Sequence, residues 1–177
     1  SEMCIRDSLH DGHISLVNKA KELGKTIVSS IFVNPLQFGF NEDFDSYPRT
    51  LENDLEQLER AGSHFVFHPS EDILEDIKKR KAPSLSRKMC GKTRPEHFDG
   101  VVTIVGKLFE VVRPQFAVFG LKDYQQFLII KNLITLSDFE IEIIGSPIVR
   151  EQDGLAMSSR NNLLTHDNRL LAPEIYK

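Results

Sequence analysis

Leu16, Val17, Ala20 and Leu23 recur at intervals of three and four residues, the period of one helix face, and Gly24 follows as a stop signal. The spacing predicts a helix that opens at Asp11 or Gly12, with one of the two as its cap. Next, Thr-Ile-Val-Ser-Ser-Ile-Phe-Val at 26–33 is β-branched, short and almost continuous, the pattern of a strand covered on both faces. Asn34-Pro35 ends it, because proline lacks a donor and restricts its predecessor. Leu51, Leu55 and Leu58 predict a second helix, with Thr50 as N-cap and Gly62 at its end. Phe65-Val66-Phe67 reads as a second core strand closed by His68-Pro69. Val101, Val102, Ile104, Val105, Leu108, Phe109 and Val112 describe a long buried helix, and Phe116–Phe119 the strand after it. The turn Gly120–Asp123 leads into a helix containing Gln125, Gln126, Phe127, Ile130 and Leu133. Ile141–Ile144 and Pro147–Val149 complete the sheet, and the alternation of strands with helices predicts an α/β parallel sheet flanked by helices.

Three stretches fit that rhythm poorly. Phe38 to Arg49 mixes acidic residues with Phe40, Phe44 and Tyr47 and reads as a long loop or flap. Glu71 to Lys92 is charged and predicts a weakly amphipathic helix, with Lys78, Lys79, Arg80 and Lys81 as a solvated face and a phosphate- or RNA-binding patch as the minor alternative. Ser1 to Ser8 is mostly polar: either Met3 to Ile5 pairs in the sheet, or the first strand is missing or replaced.

Composition narrows the class. At 177 residues and 40% hydrophobic content the chain has material for one core. A net charge of −4 and an isoelectric point near 5.9 argue against nonspecific nucleic-acid binding. Cys4 and Cys90 have no C-x-x-C spacing, which fits a reducing compartment. No apolar run approaches the roughly 20 residues of a membrane span, and the start lacks a secretory apolar region. These features predict a cytoplasmic protein with neither nucleic acid nor membrane as partner.

The candidate chemistry begins at Leu9-His10-Asp11-Gly12-His13. A helix start carries unpaired N–H groups and partial positive charge, so it favours phosphate, and two imidazoles three residues apart can both face that anion. An H-x-G-H loop of this kind reads as nucleotide-handling; a solvated loop and half of a metal site are the bland alternatives. Gly100 to Gly106-Lys107 is not a P-loop, since five residues separate the glycines and Leu108 stands where a magnesium-binding hydroxyl belongs. Lys122 and Asp123 sit at a helix start, where a lysine meets phosphate and an aspartate holds ribose or caps the helix; an ordinary charged turn looks the same. Ser158-Ser159-Arg160, within the polar loop Asp153–Asn161, suits triphosphate oxygens. Asn34 and Gln37 lie beyond the carboxyl end of a strand, where open α/β sheets bind ligands. His64 and His68 read as strand-end residues.

L-H-D-G-H, S-I-F-V-N-P-L-Q-F, Y-P-R-T, R-P-E-H-F-D-G-V, F-G-L-K-D-Y-Q-Q and D-G-L-A-M-S-S-R-N occur in one order from Leu9 almost to Lys177. Together they resemble the pantoate–β-alanine ligase family. The resemblance implies a Rossmann-like fold of the H-x-G-H nucleotidyltransferase type, usually a homodimer, acting on ATP with Mg2+, pantoate and β-alanine. Pantoate would be activated as pantoyl adenylate with loss of pyrophosphate, and β-alanine would then displace AMP to give pantothenate. Carried over by motif, His10, His13 and Lys122 are the catalytic residues. Leu9, His10, Asp11, Gly12, His13, Gly120, Leu121, Lys122, Asp123, Val149, Met157, Ser158, Ser159 and Arg160 bind ATP. Gln37, Gln126 and the adjacent Asn34 hold pantoate or β-alanine, with Gln125 beside Gln126, and no residue is assigned to a protein-held metal.

Departures from the family pattern set further expectations. Cys4-Ile5-Arg6-Asp7 stands where the family has P-T-M-G, so Asp7 adds a negative charge near the triphosphate. A like-charge contact at about 4 Å costs about 4 kcal/mol at an effective dielectric of about 20. Leu121 replaces a usual glutamate, and the chain stops at Lys177. The expectation is a non-family leader at 1–8, a catalytic domain at 9–177, no C-terminal domain, and weak or no turnover. A catalytically impaired nucleotide-binding fragment, or another nucleotidyltransferase of the H-x-G-H group, is the alternative.

Overall fold

Five parallel strands form one sheet in the order β3-β2-β1-β4-β5, in a computed structural model that describes residues 2–5, 8–24, 26–39, 42, 44 and 50–176, with backbone only at 2–5. The strands are β1 (Glu2–Ile5), β2 (Val28–Ile31), β3 (Phe65–Phe67), β4 (Phe116–Gly120) and β5 (Glu142–Ser146). The helices are α1 (Asp11–Leu23), α2 (Leu51–Ala61), the single turn α3 (Cys90–Thr93), α4 (His97–Val112), α5 (Tyr124–Thr135) and the short α6 (His166–Leu171).

The three central residues of β4 are all buried and alternate between two cores, which explains the continuous apolar run. Ala117 and Phe119 face a core built with Val102, Val105, Leu108 and Phe109 of α4 and Ile129 and Ile130 of α5. Val118 faces the opposite core, with Leu16, Val17 and Ala20 of α1, Leu58 of α2 and Ile31 of β2. A sheet covered on both faces needs apolar residues at successive positions, and the helices supply the covers. Gly62 ends α2 in the left-handed conformation at φ 90°, as a glycine after a helix does without steric cost.

Several expectations are corrected here. The first strand is not missing: Glu2–Ile5 lies at the centre, pairing with β2 (Glu2 opposite Val28, Ile5 opposite Ile31) and with β4 (Met3 opposite Val118). The cap of α1 is neither Asp11 nor Gly12 but His10. Thr50 occupies the cap position of α2 without capping it; its hydroxyl donates to Asp54 Oδ1 at 3.1 Å. Phe65–Phe67 is an edge strand with Phe65 exposed, because β2 is its sole sheet neighbour among the described residues. Glu71 to Lys92 forms two 3-10 turns, Glu71–Leu74 and Ser84–Arg87, then α3. That segment holds by contacts a helix would scatter: Arg80 pairs with Glu110 at 2.6 Å and lies over Phe139, and Lys81 pairs with Asp99 at 2.7 Å. Pro147–Val149 leaves the sheet after β5 and forms a loop wall instead. The predicted flap at 38–49 falls largely outside the described residues, as do Arg6, Asp7 and the Cys4 side chain. Cys90 is a free thiol. Among the described residues no helix is long and apolar enough to cross a membrane.

Candidate active site

Ligands of open parallel sheets bind beyond the carboxyl ends of the strands, where neighbouring connections leave to opposite faces. In this sheet that crevice lies between β1 and β4, and a cavity of about 1160 Å³, mouth included, opens there. It collects loops that lie far apart in the chain: His10 and His13 after β1, Asn34 and Gln37 after β2, Lys122 and Gln126 after β4, and Ser158 to Arg160 beyond β5.

The loop after β1 is shaped by its histidines. His10 Nδ1 accepts the Gly12 N–H at 3.1 Å, and His13 Nδ1 accepts the His10 N–H at 3.3 Å. The two rings thus close a reciprocal capping box, stacked with centroids 4.0 Å apart. Gly12 is required by packing, since a Cβ there would lie 2.8 Å from His10 Cε1. Burial lowers the pKa of His10 from 6.5; the Lys122 ammonium lowers it further, against the opposing pull of Asp11 and Glu151. A histidine pKa depressed by folding gives stability that is complete above about 6.5 and lost as pH falls through the folded value. Urea midpoints should therefore decline on acidification below 6.5, and less so in His10→Asn, whose amide oxygen can cap Gly12 without titrating.

Asp54 of α2 anchors the approach to this loop. Its buried carboxylate accepts Ser8 N–H at 2.7 Å and Leu9 N–H at 2.8 Å. Sequence reasoning missed it, although a signal was present: Asp54 sits on the apolar stripe, three residues after Leu51 and four before Leu58. A carboxylate on a core-facing stripe needs buried donors, and the loop N–H groups are those donors.

The turn after β2 is built by Asn34 and Gly100. Asn34 Oδ1 accepts Leu36 N–H at 3.2 Å, while its Nδ2 donates to the Gly100 carbonyl at 3.2 Å and to Gln37 Oε1 at 3.3 Å. Asn34 lines the cavity, yet its amide is committed to holding Gln37. Gly100 lets α4 approach: a Cβ there would stand 2.1 Å from the Leu36 carbonyl oxygen. Gly100→Ala should destabilise the fold by about 1–3 kcal/mol, as overpacking does, and displace Gln37; a thermal midpoint equal to the parent's would contradict this. The R-P-E-H motif also acts here. His97 Nδ1 donates to the Gln37 carbonyl at 2.7 Å, and Arg94 Nη2 donates to the same oxygen at 3.4 Å. Arg94 also pairs with Glu42, holding that carboxyl below its usual pKa.

Not every candidate reaches the cavity. Leu9 packs into the α1–α2 core, Asp11 is exposed on the first turn, and Leu121 lies over Gly145 of β5. Gln125 turns away: its Nε2 donates to the Leu85 and Lys88 carbonyls at 3.0 and 2.7 Å and its Oε1 accepts Cys90 N–H, so it staples the 84–93 segment to α5. Gln126, one residue on, lines the wall. His64 keeps to a structural part, its Nδ1 accepting Ile27 N–H at 3.2 Å. Val149 and Met157 line the far wall, tied by the Met157 N–H to the Val149 carbonyl at 3.0 Å. The Ser158–Arg160 tip is braced from behind: Ser158 caps the turn that follows, and Asn161 donates to Glu151 at 2.6 Å, which also meets Arg169 at 2.5 Å. Among the described residues no group of three or more His, Cys, Asp or Glu could hold a metal.

A parallel sheet of this order with its cavity at the crevice between β1 and β4 defines the class, a Rossmann-like fold, and the likeness to the ligase structures below makes it one of nucleotidyltransferase type. The family model for pantoate-beta-alanine ligase matches residues 7–177. Pantothenate synthetases of Psychrobacter arcticus and Pseudomonas putida (strain W619) are 53% and 50% identical over 94% and 96% of this chain. The crystal structure of pantothenate synthetase from Thermus thermophilus superposes with a TM-score of 0.92 at 41% identity, over 99% of this chain and 65% of that one. Pantoate-beta-alanine ligase from Francisella tularensis, complexed with beta-gamma ATP and beta-alanine, gives 0.90 at 36% identity, over 99% and 69%. The chain belongs to the pantoate–β-alanine ligase family. It spans 59% of the length of the Psychrobacter relative and 61% of the Pseudomonas one.

Proposed function

We propose that this chain carries the adenylate-forming site of an ATP-dependent pantoate–β-alanine ligase. The observation that supports it most is the convergence of His10 and His13, Lys122, and Ser158 to Arg160 on one cavity that also holds Gln37 and Gln126. The Francisella tularensis relative was crystallised with beta-gamma ATP and beta-alanine, which agrees with nucleotide and amine as ligands.

The chemistry follows from the groups. A carboxylate nucleophile is already ionised near neutral pH, so the first step needs no general base. Pantoate oxygen attacks the α-phosphorus, the bond to pyrophosphate breaks, and the electron pair leaves with pyrophosphate. Alignment and cover for growing phosphoryl charge are what the protein must supply. His10, His13, Lys122, Ser158, Ser159 and Arg160 supply the cover, with Val149 and Met157 against the adenosine. Gln37 and Gln126 hold the acid through neutral amides, which orient it without a counter-charge that would blunt the nucleophile. The amine of β-alanine, as its free base, then attacks the acyl carbon, the acyl–oxygen bond breaks, AMP departs with the electron pair, and the amine's proton passes to solvent. Magnesium belongs to this reading as part of the nucleotide substrate. Such ions are held largely by substrate phosphates with one or two carboxylates, and among the described residues Asp123 is the carboxylate on the wall. A homodimer and a cytoplasmic setting complete the reading, both resting on the family likeness.

Pantoate-dependent exchange of labelled pyrophosphate into ATP tests it. Slow exchange that requires pantoate is the expected result. Exchange with a different acceptor would instead indicate another nucleotidyltransferase, and ATP binding without exchange an impaired remnant.

A further inference from the structure

The two imidazoles of the loop after β1 have one nitrogen each committed to the backbone. A backbone N–H is always a donor, so the ring nitrogen receiving it carries no proton. His10 Nδ1 receives Gly12 N–H and His13 Nδ1 receives His10 N–H. We infer that this cap locks both rings as neutral Nε2–H tautomers, so that they meet phosphate as fixed, uncharged hydrogen-bond donors and exchange no proton with substrate. The inference rests on the nucleotide reading for the identity of the anion, and on geometry alone for the tautomers.

Three features support the lock. First, protonating either Nδ1 would break its cap bond and release the first turn of α1. Second, the rings are stacked at 4.0 Å, so charge on one opposes charge on the other. Third, a Cβ at position 12 would stand 2.8 Å from His10 Cε1, so the glycine leaves free the space that the capping ring occupies. Among the described residues, the charged groups facing His10 are Lys122 from the loop after β4, Glu151 from the loop beyond β5, and Asp11 on its own helix. Burial and Lys122 favour the uncharged ring, in keeping with the lock. Formal positive charge on the anion then falls to Lys122 and Arg160, and the histidines contribute direction. The motif H-x-G-H acquires a physical meaning on this view: two donors aimed by reciprocal caps, with a glycine between them to admit the ring.

Two-bond nitrogen–proton correlation spectra of the full chain, labelled at histidine nitrogen, test the inference at about pH 7, where an ordinary histidine is mostly neutral. The signals are assigned by their loss in His10→Asn and His13→Asn. The expected result is the Nε2–H pattern for both residues in the free chain, kept on saturation with ATP, with both Nε2–H signals shifted. A Nδ1–H or doubly protonated pattern for either ring overturns the lock, and calorimetric ATP binding would leave the nucleotide reading intact in that event. Unshifted Nε2–H signals at saturating ATP overturn the donor role. Absence of ATP binding removes both the donor role and the nucleotide reading, while the free-chain spectrum still reports on the tautomers. His10→Asn against His10→Gln separates the two nitrogens: asparagine keeps an acceptor for Gly12, glutamine a donor toward the cavity. The asparagine variant should retain the parent's thermal midpoint and bind ATP at least about tenfold more weakly, the scale of one lost hydrogen bond to a charged group. The ranking should reverse for glutamine; equal behaviour of the two would overturn the division of labour.

Discussion

Lys122→Ala is expected to slow pantoate-dependent pyrophosphate exchange by about 10²–10³-fold, the usual cost of one well-placed donor to developing oxyanion charge. The thermal midpoint should stay within about a degree of the parent's, as surface substitutions usually do, since Lys122 is exposed. Lys122 reaches the cavity because β4 ends at Gly120 and the 3-10 turn Leu121–Asp123 lifts the chain over the carboxyl edge of the sheet. That placement puts an ammonium across from His10, whose pKa it helps to lower. Lys122→Arg should recover part of the loss, because the charge returns while the compact donor geometry does not. Near-parental exchange in the alanine variant would show that the ammonium does no chemistry here.

Asp54→Ala should cost about 2–4 kcal/mol of stability and weaken nucleotide binding as well. Two backbone N–H groups at Ser8 and Leu9 lose their acceptor, and each such loss carries a desolvation penalty of about 1–3 kcal/mol. The segment they anchor leads directly into His10, so the cap and the cavity wall loosen together. Asp54→Asn keeps one carbonyl acceptor and should retain about half of the lost stability. Urea unfolding measures the first effect and calorimetric ATP titration the second. A destabilised variant with parental ATP affinity would show that Asp54 supports the fold alone.

Much of this site was legible in the chain because its residues stand at element ends that periodicity marks well. Gly24, Asn34-Pro35 and Gly120 each punctuate a helix or strand, and the candidates beside them lie where a parallel sheet exposes its carboxyl edge. Gln125 and Gln126 show the limit. Adjacent amides on a helix point about 100° apart, and only the surroundings decide which of them meets the cavity and which staples Leu85 and Lys88. Asn34 shows another, since its amide holds Gln37 and Gly100 in place as part of the turn.

Local chemistry by itself determined the α/β alternation, the long buried α4 and the failed P-loop, and it marked H-x-G-H, Lys122 and Ser-Ser-Arg as anion-seeking candidates. These rest on spacing and donor type, which are properties of neighbouring residues. The tertiary structure alone decided that Glu2–Ile5 fills the middle of the sheet, that His10 rather than Asp11 caps α1, and that Asp54 holds the loop from 45 residues away. Strand pairing and buried carboxylates are settled by partners distant in the chain, and no local pattern encodes which partner arrives.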